Sequence, residues 1–137
     1  MPVVVCTLVI HTLAVIATIN LLRREKKHGR TGKILWIDAV IVFRVTAIAL
    51  VAHLIEMAVW GELFIICGEF KDFGTAFYHS AVNYTTLGYG ELVMTASWRL
   101  LGPLEATNGM ILFGVTIALI FTVILRLAET RFAELRE

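Results

Sequence analysis

The sequence predicts an all-α membrane protein: three transmembrane helices, with a short re-entrant helix and loop before the third. Three observations lead there. The 137-residue chain is 58% hydrophobic with a mean hydropathy of +0.82, more apolar surface than a soluble domain of this size can bury. Its apolar residues gather into three runs of about 20 residues or more, the length a helix needs to cross a hydrocarbon core of roughly 30 Å. Between the second and third runs, Gly61 to Ser97 is too polar and too interrupted to span, yet it holds a short helical pattern.

The first run, Pro2 to Leu22, is followed by the basic linker Arg23 to Lys33. Cationic loops stay on the cytoplasmic side, so the amino terminus is expected outside and the second run, Ile34 to Trp60, travels outward. The third run, Leu100 to Leu125, then returns the tail to the cytoplasm. A secretory signal carries its positive charge before the apolar stretch, whereas here the charge comes after, so the first run reads as a retained span. The linker is also suited to anionic headgroups, at about 1 kcal/mol per basic residue near the surface, although topology control alone accounts for it. Cys6 and Cys67 both fall toward the outer side, where a disulfide can form; two separate thiols are the simpler reading. A net charge of +1, with half of its basic residues concentrated in one linker, offers no face for nucleic acid. No nucleophile elbow, metal-ligand spacing or phosphate loop points to an enzyme.

The middle segment carries the chemistry. Non-helical backbone at membrane depth persists only where protein covers it or where it lines a watery path. A span, a helix over 72–86, a glycine-bearing strand over 86–90 and another span therefore imply a pore. Asp72 or Thr75 can cap the short helix by accepting from its free backbone donors. Gly88 and Gly90 lack a Cβ and reach positive φ, which lets consecutive carbonyls turn to one side. The carbonyls of Thr86, Leu87, Gly88 and Tyr89, with the Thr86 hydroxyl, then form stacked oxygen cages that replace the water around a dehydrated potassium ion. Closing each cage takes four chains. No other cofactor is expected.

The run Thr85-Thr86-Leu87-Gly88-Tyr89-Gly90-Glu91 resembles the filter signature of the potassium channel pore family. The resemblance covers about Ile34 to Leu125 and implies an outer helix (34–60), pore helix (72–86), filter (86–90) and inner helix (100–125). On this reading residues 1–33 form an added helix and linker, 34–127 the pore domain and 128–137 a short tail. The family's usual pattern has valine at Leu87 and aspartate at Glu91. Tyr78 and His79 match positions where the family packs aromatic residues around the filter tyrosine, Tyr78 being placed to bond Glu91, while His79 replaces the usual tryptophan. Val82 stands where some members carry a buried carboxylate, so that bond is absent, and Thr85 lies where the pore helix aims its negative end at a cavity. The resemblance further implies a homotetramer in the plasma membrane that conducts potassium passively.

Gly109 lies where the family has its inner-helix hinge. Met110, Phe113, Ile117, Phe121 and Leu125 recur at helical spacing and are candidates to line a pore, with Phe121 and Leu125 as a hydrophobic constriction; inter-helix packing explains the same pattern. Trp98 suits an interface anchor and Pro103 a helix's first turn. Ionisable groups within spans are costly and call for partners: Asp38, Arg44, His53 and Glu56 on the second span, Glu105 on the third. Depth along each helix places His53 level with Glu105 as a pair, with Glu56, one turn away, the alternative partner. Arg44, near midplane, is expected on a carbonyl or an acidic group. The competing readings are a weakly selective cation channel, a non-conducting regulatory subunit, and a membrane cytochrome with His11 and His53 as haem ligands. The acceptor pattern Asn83-Tyr84-Thr85 falls in the pore helix and is discounted.

Overall fold

Where no water can reach the backbone, apolar segments satisfy their own polar groups by coiling into helices, and the long runs do so. The computed structural model describes residues 2–27 and 35–134; positions 28–34 of the linker and 135–137 of the tail lie outside the described residues. Four helices follow in order: α1 (Pro2–Lys27), α2 (Leu35–Ile66), α3 (Phe73–Tyr84) and α4 (Leu101–Glu134). Of these α1, α2 and α4 are long and apolar enough to cross a membrane, and no strand occurs among the described residues. The all-α architecture read from the sequence is the one observed.

Helix α2 continues past Trp60 to Ile66, because Leu63 to Ile66 keep the apolar run going. Gly61 does not stop it. The α3 backbone crosses there, and a Cβ at Gly61 would lie 3.2 Å from the Phe77 nitrogen. The helix ends at a Schellman cap: Gly68, at φ 78°, donates to the Ile65 carbonyl at 2.8 Å and Glu69 to the Phe64 carbonyl at 3.0 Å. Helix α3 is capped by Asp72, whose Oδ1 accepts from the Thr75 N–H at 2.8 Å. It stops at Tyr84 rather than Thr86, with Thr85 as its C-cap.

Helix α4 begins with Pro103 in its first turn and runs beyond Leu125 to Glu134. The charged residues past the apolar run stay helical and make partners: Arg126 faces Glu129 at 3.8 Å, and Arg131 reaches Asp38 on α2 at 2.8 Å. Helix α1 packs against α2 and, less extensively, against α4. Two apolar cores result. One gathers Met57, Trp60, Phe64, Tyr84 and Leu112 around the end of α3; the other joins Ile41, Val45, Val123 and Leu127 between α2 and α4.

Helix α4 is uninterrupted through the expected hinge, Gly109, and packing explains the residue. A Cβ there would come within 2.3 Å of the Tyr84 carbonyl oxygen, so only glycine lets α4 pass the end of α3 at this distance. Gly109→Ala is therefore expected to destabilise the fold by about 1–3 kcal/mol through overpacking, read as a lower unfolding temperature in detergent. Gly114, with nothing within 4 Å of its added Cβ, supplies the control: Gly114→Ala should leave stability unchanged or slightly raised.

Candidate functional site

Helix α3 aims its carboxyl end into the segment 85–91, and hydrogen bonds from its last turn hold that segment. The Val82 carbonyl accepts from Leu87 N–H at 2.9 Å and Gly88 N–H at 3.2 Å, while Asn83 accepts from Thr86 at 2.9 Å. The Thr85 hydroxyl donates back to the Ala81 carbonyl at 2.6 Å. Val82 thus supports this segment through its main chain, at a position that offers no side-chain acceptor.

Residues 86, 88 and 90 all lie in the left-handed region, at φ 60°, 62° and 80°, while Leu87 and Tyr89 between them do not. Alternation of this kind swings successive peptide planes so that carbonyls of neighbouring residues face one side. Glycine makes this cheap at 88 and 90. Threonine does not at 86, where a β-branched residue at positive φ stores about 1–3 kcal/mol of strain. The sequence reading anticipated the two glycines and missed Thr86, whose conformation no propensity signals. In the single chain, residues 85 to 91 are all exposed.

Behind the loop, the Tyr78 hydroxyl donates to Glu91 Oε1 at 2.6 Å, the bond expected from the sequence, and this bond pushes the Tyr78 phenol above its ordinary pKa. His79 is buried between Phe64 and Phe70, with centroids at 5.4 and 4.8 Å, and lies 2.9 Å from the Asn83 amide. Burial holds it below the usual histidine range. Farther out, Glu69 accepts from the Thr95 N–H at 2.7 Å and its hydroxyl at 2.5 Å, tying the end of α2 to the segment that leaves the loop.

Of the two partners offered for His53, Glu56 is the one it meets. His53 does not meet Glu105. His53 Nδ1 lies 3.1 Å from Glu56 and 3.0 Å from the Tyr84 hydroxyl, and its Nε2 3.0 Å from the Thr116 hydroxyl. Glu56, fully buried, also meets His11 Nδ1 at 3.1 Å and accepts from the Tyr84 hydroxyl. Equal depth along two helices sets height but not rotation, and rotation turns His53 toward α1. Glu105 instead contacts Ser80, whose Oγ is 2.5 Å from Glu105 Oε1 and 2.8 Å from the Met57 carbonyl. Ser80 has one proton for two acceptors, so both contacts are met when the Glu105 carboxyl supplies the second.

Arg44 bonds Glu25 of α1 at 3.1 Å, with its own side chain half exposed. Since α2 reaches Ile66, its middle falls at about residue 50, and Arg44 lies toward the basic-linker end rather than at midplane. The rings of His11 and His53 are 5.2 Å apart, both against Glu56, which leaves no room between them for a haem. Phe113 turns inward onto His53 and Tyr84, at 4.4 and 5.4 Å, so it belongs to the core of the subunit. Met110, Ile117, Phe121 and Leu125 are exposed. Cys6 and Cys67 are free thiols.

A family model described as an ion channel matches residues 48–126, from mid-α2 through the loop to α4. Helix α1 lies outside the match. Comparison with curated proteins and with solved structures found no match.

The two Thr95 bonds hold Glu69 below the usual carboxylate range. Because the folded value is lowered, the contact contributes stability above the ordinary glutamate pKa of about 4.3 and loses it as pH falls through the lower folded value. The Thr95 amide resonance should titrate with a midpoint below that ordinary value and stop titrating in Glu69→Gln. A midpoint at or above it would refute the bond.

Proposed function

This chain belongs to the ion channel family, and we propose that it is one subunit of a homotetrameric, potassium-selective pore. The observation that carries the reading is the left-handed backbone at every second residue, Thr86, Gly88 and Gly90. That geometry gives four consecutive residues, Thr86 to Tyr89, carbonyls able to face a common axis. Potassium gives up its water shell only where such oxygens replace it on all sides, and one exposed segment supplies a quarter of each cage.

The surroundings support the same use. Helix α3 points its carboxyl end, with its partial negative charge, toward the inner end of the loop and favours a cation there. In this reading Leu87 and Tyr89 turn their side chains away from the ion path, so leucine in place of the family's usual valine alters packing behind the filter rather than the ligand set. The Tyr78–Glu91 bond and the buried His79 brace that packing. Phe121 and Leu125, exposed on one side of α4, are placed to narrow the far end of the path, with Met110 and Ile117 above them, and a narrow apolar ring closes a pore by shedding water. The basic end of α1 faces the cytoplasm in this reading, which puts the filter on the outer side of the plasma membrane.

Gly88→Ala and Gly90→Ala test the assignment. Space is not the obstacle, since an added Cβ at either site finds its nearest neighbour 4.0 Å away; the positive φ is. Each variant should insert into liposomes yet lose potassium-selective flux. In the parent protein, reversal potentials under opposed potassium and sodium gradients should follow potassium, and a value near zero would sink selectivity. Unchanged selectivity in either variant would overturn the filter.

A further inference from the structure

Three metal-ligating side chains meet inside the helix bundle, away from the pore loop. His11 comes from α1, His53 and Glu56 from α2; all three are buried, and one donor atom from each lies within 4.8 Å of the others. We propose that His11, His53 and Glu56 bind a divalent transition-metal ion of the zinc class, clamping α1 to the pore-forming part of the chain.

The donor set suits such an ion. Two imidazoles and a carboxylate are the ligands that zinc takes in open sites, with bonds of about 2.0–2.2 Å that set tetrahedral ligands roughly 3.3–3.6 Å apart. Both Nδ1 atoms now stand 3.1 Å from Glu56 oxygens, His11 on Oε1 and His53 on Oε2. The His11 Nδ1–Oε1 pair opens by a few tenths of an ångström to reach that spacing. The Tyr84 hydroxyl donates to Oε2, so Oε1 is the oxygen that exchanges its contact with His11 Nδ1 for a metal bond.

The surroundings supply what a bound histidine requires of its second nitrogen. A ligating imidazole presents a lone pair at one nitrogen and donates the N–H of the other to an acceptor that fixes the ring. Thr116 on α4 provides that acceptor for both rings at once, its Oγ1 lying 3.0 Å from His53 Nε2 and 3.4 Å from His11 Nε2. One hydroxyl has two lone pairs. Loading therefore moves the ring protons from Nδ1 to Nε2, where Thr116 accepts them, and any further proton leaves to water. Without metal, the same atoms close a hydrogen-bonded clasp around Glu56. Through Tyr84, the last residue of α3, the site is one hydrogen bond from the segment that leads into Thr86.

The test uses the full chain in detergent, stripped with chelator and titrated with cobalt(II). Tetrahedral visible bands should grow to one ion per chain, zinc should displace them, and zinc should raise the unfolding temperature. His11→Ala should abolish the bands, while Thr116→Val, which retains all three ligands, should weaken binding about 10–100-fold. Cys6→Ser and Cys67→Ser should change nothing. If His11→Ala does not fold, Thr116→Val decides. Absence of cobalt uptake, undiminished affinity in Thr116→Val, or bands lost in a cysteine variant would overturn the site. None of these readouts involves conduction, so the result stands whichever ion the pore passes.

Discussion

The structure depends on one constraint: a stretch of backbone that leaves the helix inside a membrane must have its polar groups held by protein or by the water it encloses. Residues 85 to 90 are that stretch. Their amide groups on the α3 side are met by the last turn of the helix, with Val82 taking two donors and Asn83 a third. The remaining order follows. Helix α3 has to end at a fixed height, so it is capped at its start by Asp72 and pinned at its finish by Tyr84, which is fully buried between α2 and α4. Helix α4 must then pass close to that finish, and Gly109 is the residue that permits it.

The same constraint explains the polar cluster beneath the loop. An unpaired buried carboxylate would cost several kcal/mol, and Glu56 avoids this by meeting three donors, His11, His53 and Tyr84. These partners come from α1, α2 and α3, so a single carboxylate fixes three helices relative to one another. A second bond, from the Asn108 amide to the Thr7 hydroxyl at 2.9 Å, ties α1 to α4 nearby. Helix α1, which lies outside the family match, is thus joined to the pore-forming part by directional contacts as well as by apolar packing. In lipid, where apolar helix faces gain little from meeting each other, such contacts give α1 a defined position.

Much of this was legible because hydropathy and glycine placement are local signals. The three spans and the short helix with its Asp72 cap follow from runs, periodicity and spacing along a few turns, while the Tyr78–Glu91 bond was implied by the resemblance to a known family. What escaped depended on rotation and on close approach. Reckoning depth along the helices placed His53 beside Glu105, but depth does not say which way a side chain points; His53 meets Glu56, the alternative one turn away, and Thr116, which no local signal named. Phe113 fits a pore-lining period yet faces the subunit core, because period selects a stripe without saying which neighbour covers it. His11 was visible only as a candidate haem ligand in an apolar span; nothing local named Glu56 as its partner. The positive φ of Thr86 runs against the intrinsic preference of threonine, so only the hydrogen bonds around it reveal why it holds.

The isolated chain leaves Leu87 and Tyr89 exposed at 54% and 66%, and the α4 residues Ile117 and Phe121 at 67% and 65%. These exposures differ in what can cover them. Acyl chains can lie against Ile117 and Phe121 at no cost, since lipid tails are as apolar as the side chains. They cannot lie against the loop. Its carbonyls need a polar partner, and its apolar side chains need packing on the opposite side, two demands that neither bulk water nor lipid meets together. The homotetramer proposed above would meet both, its carbonyls lining a hydrated or ion-filled path and Leu87 and Tyr89 packing against neighbouring α3 helices. The backbone that imposes the largest constraint on the single subunit is therefore also the part whose requirements extend beyond it.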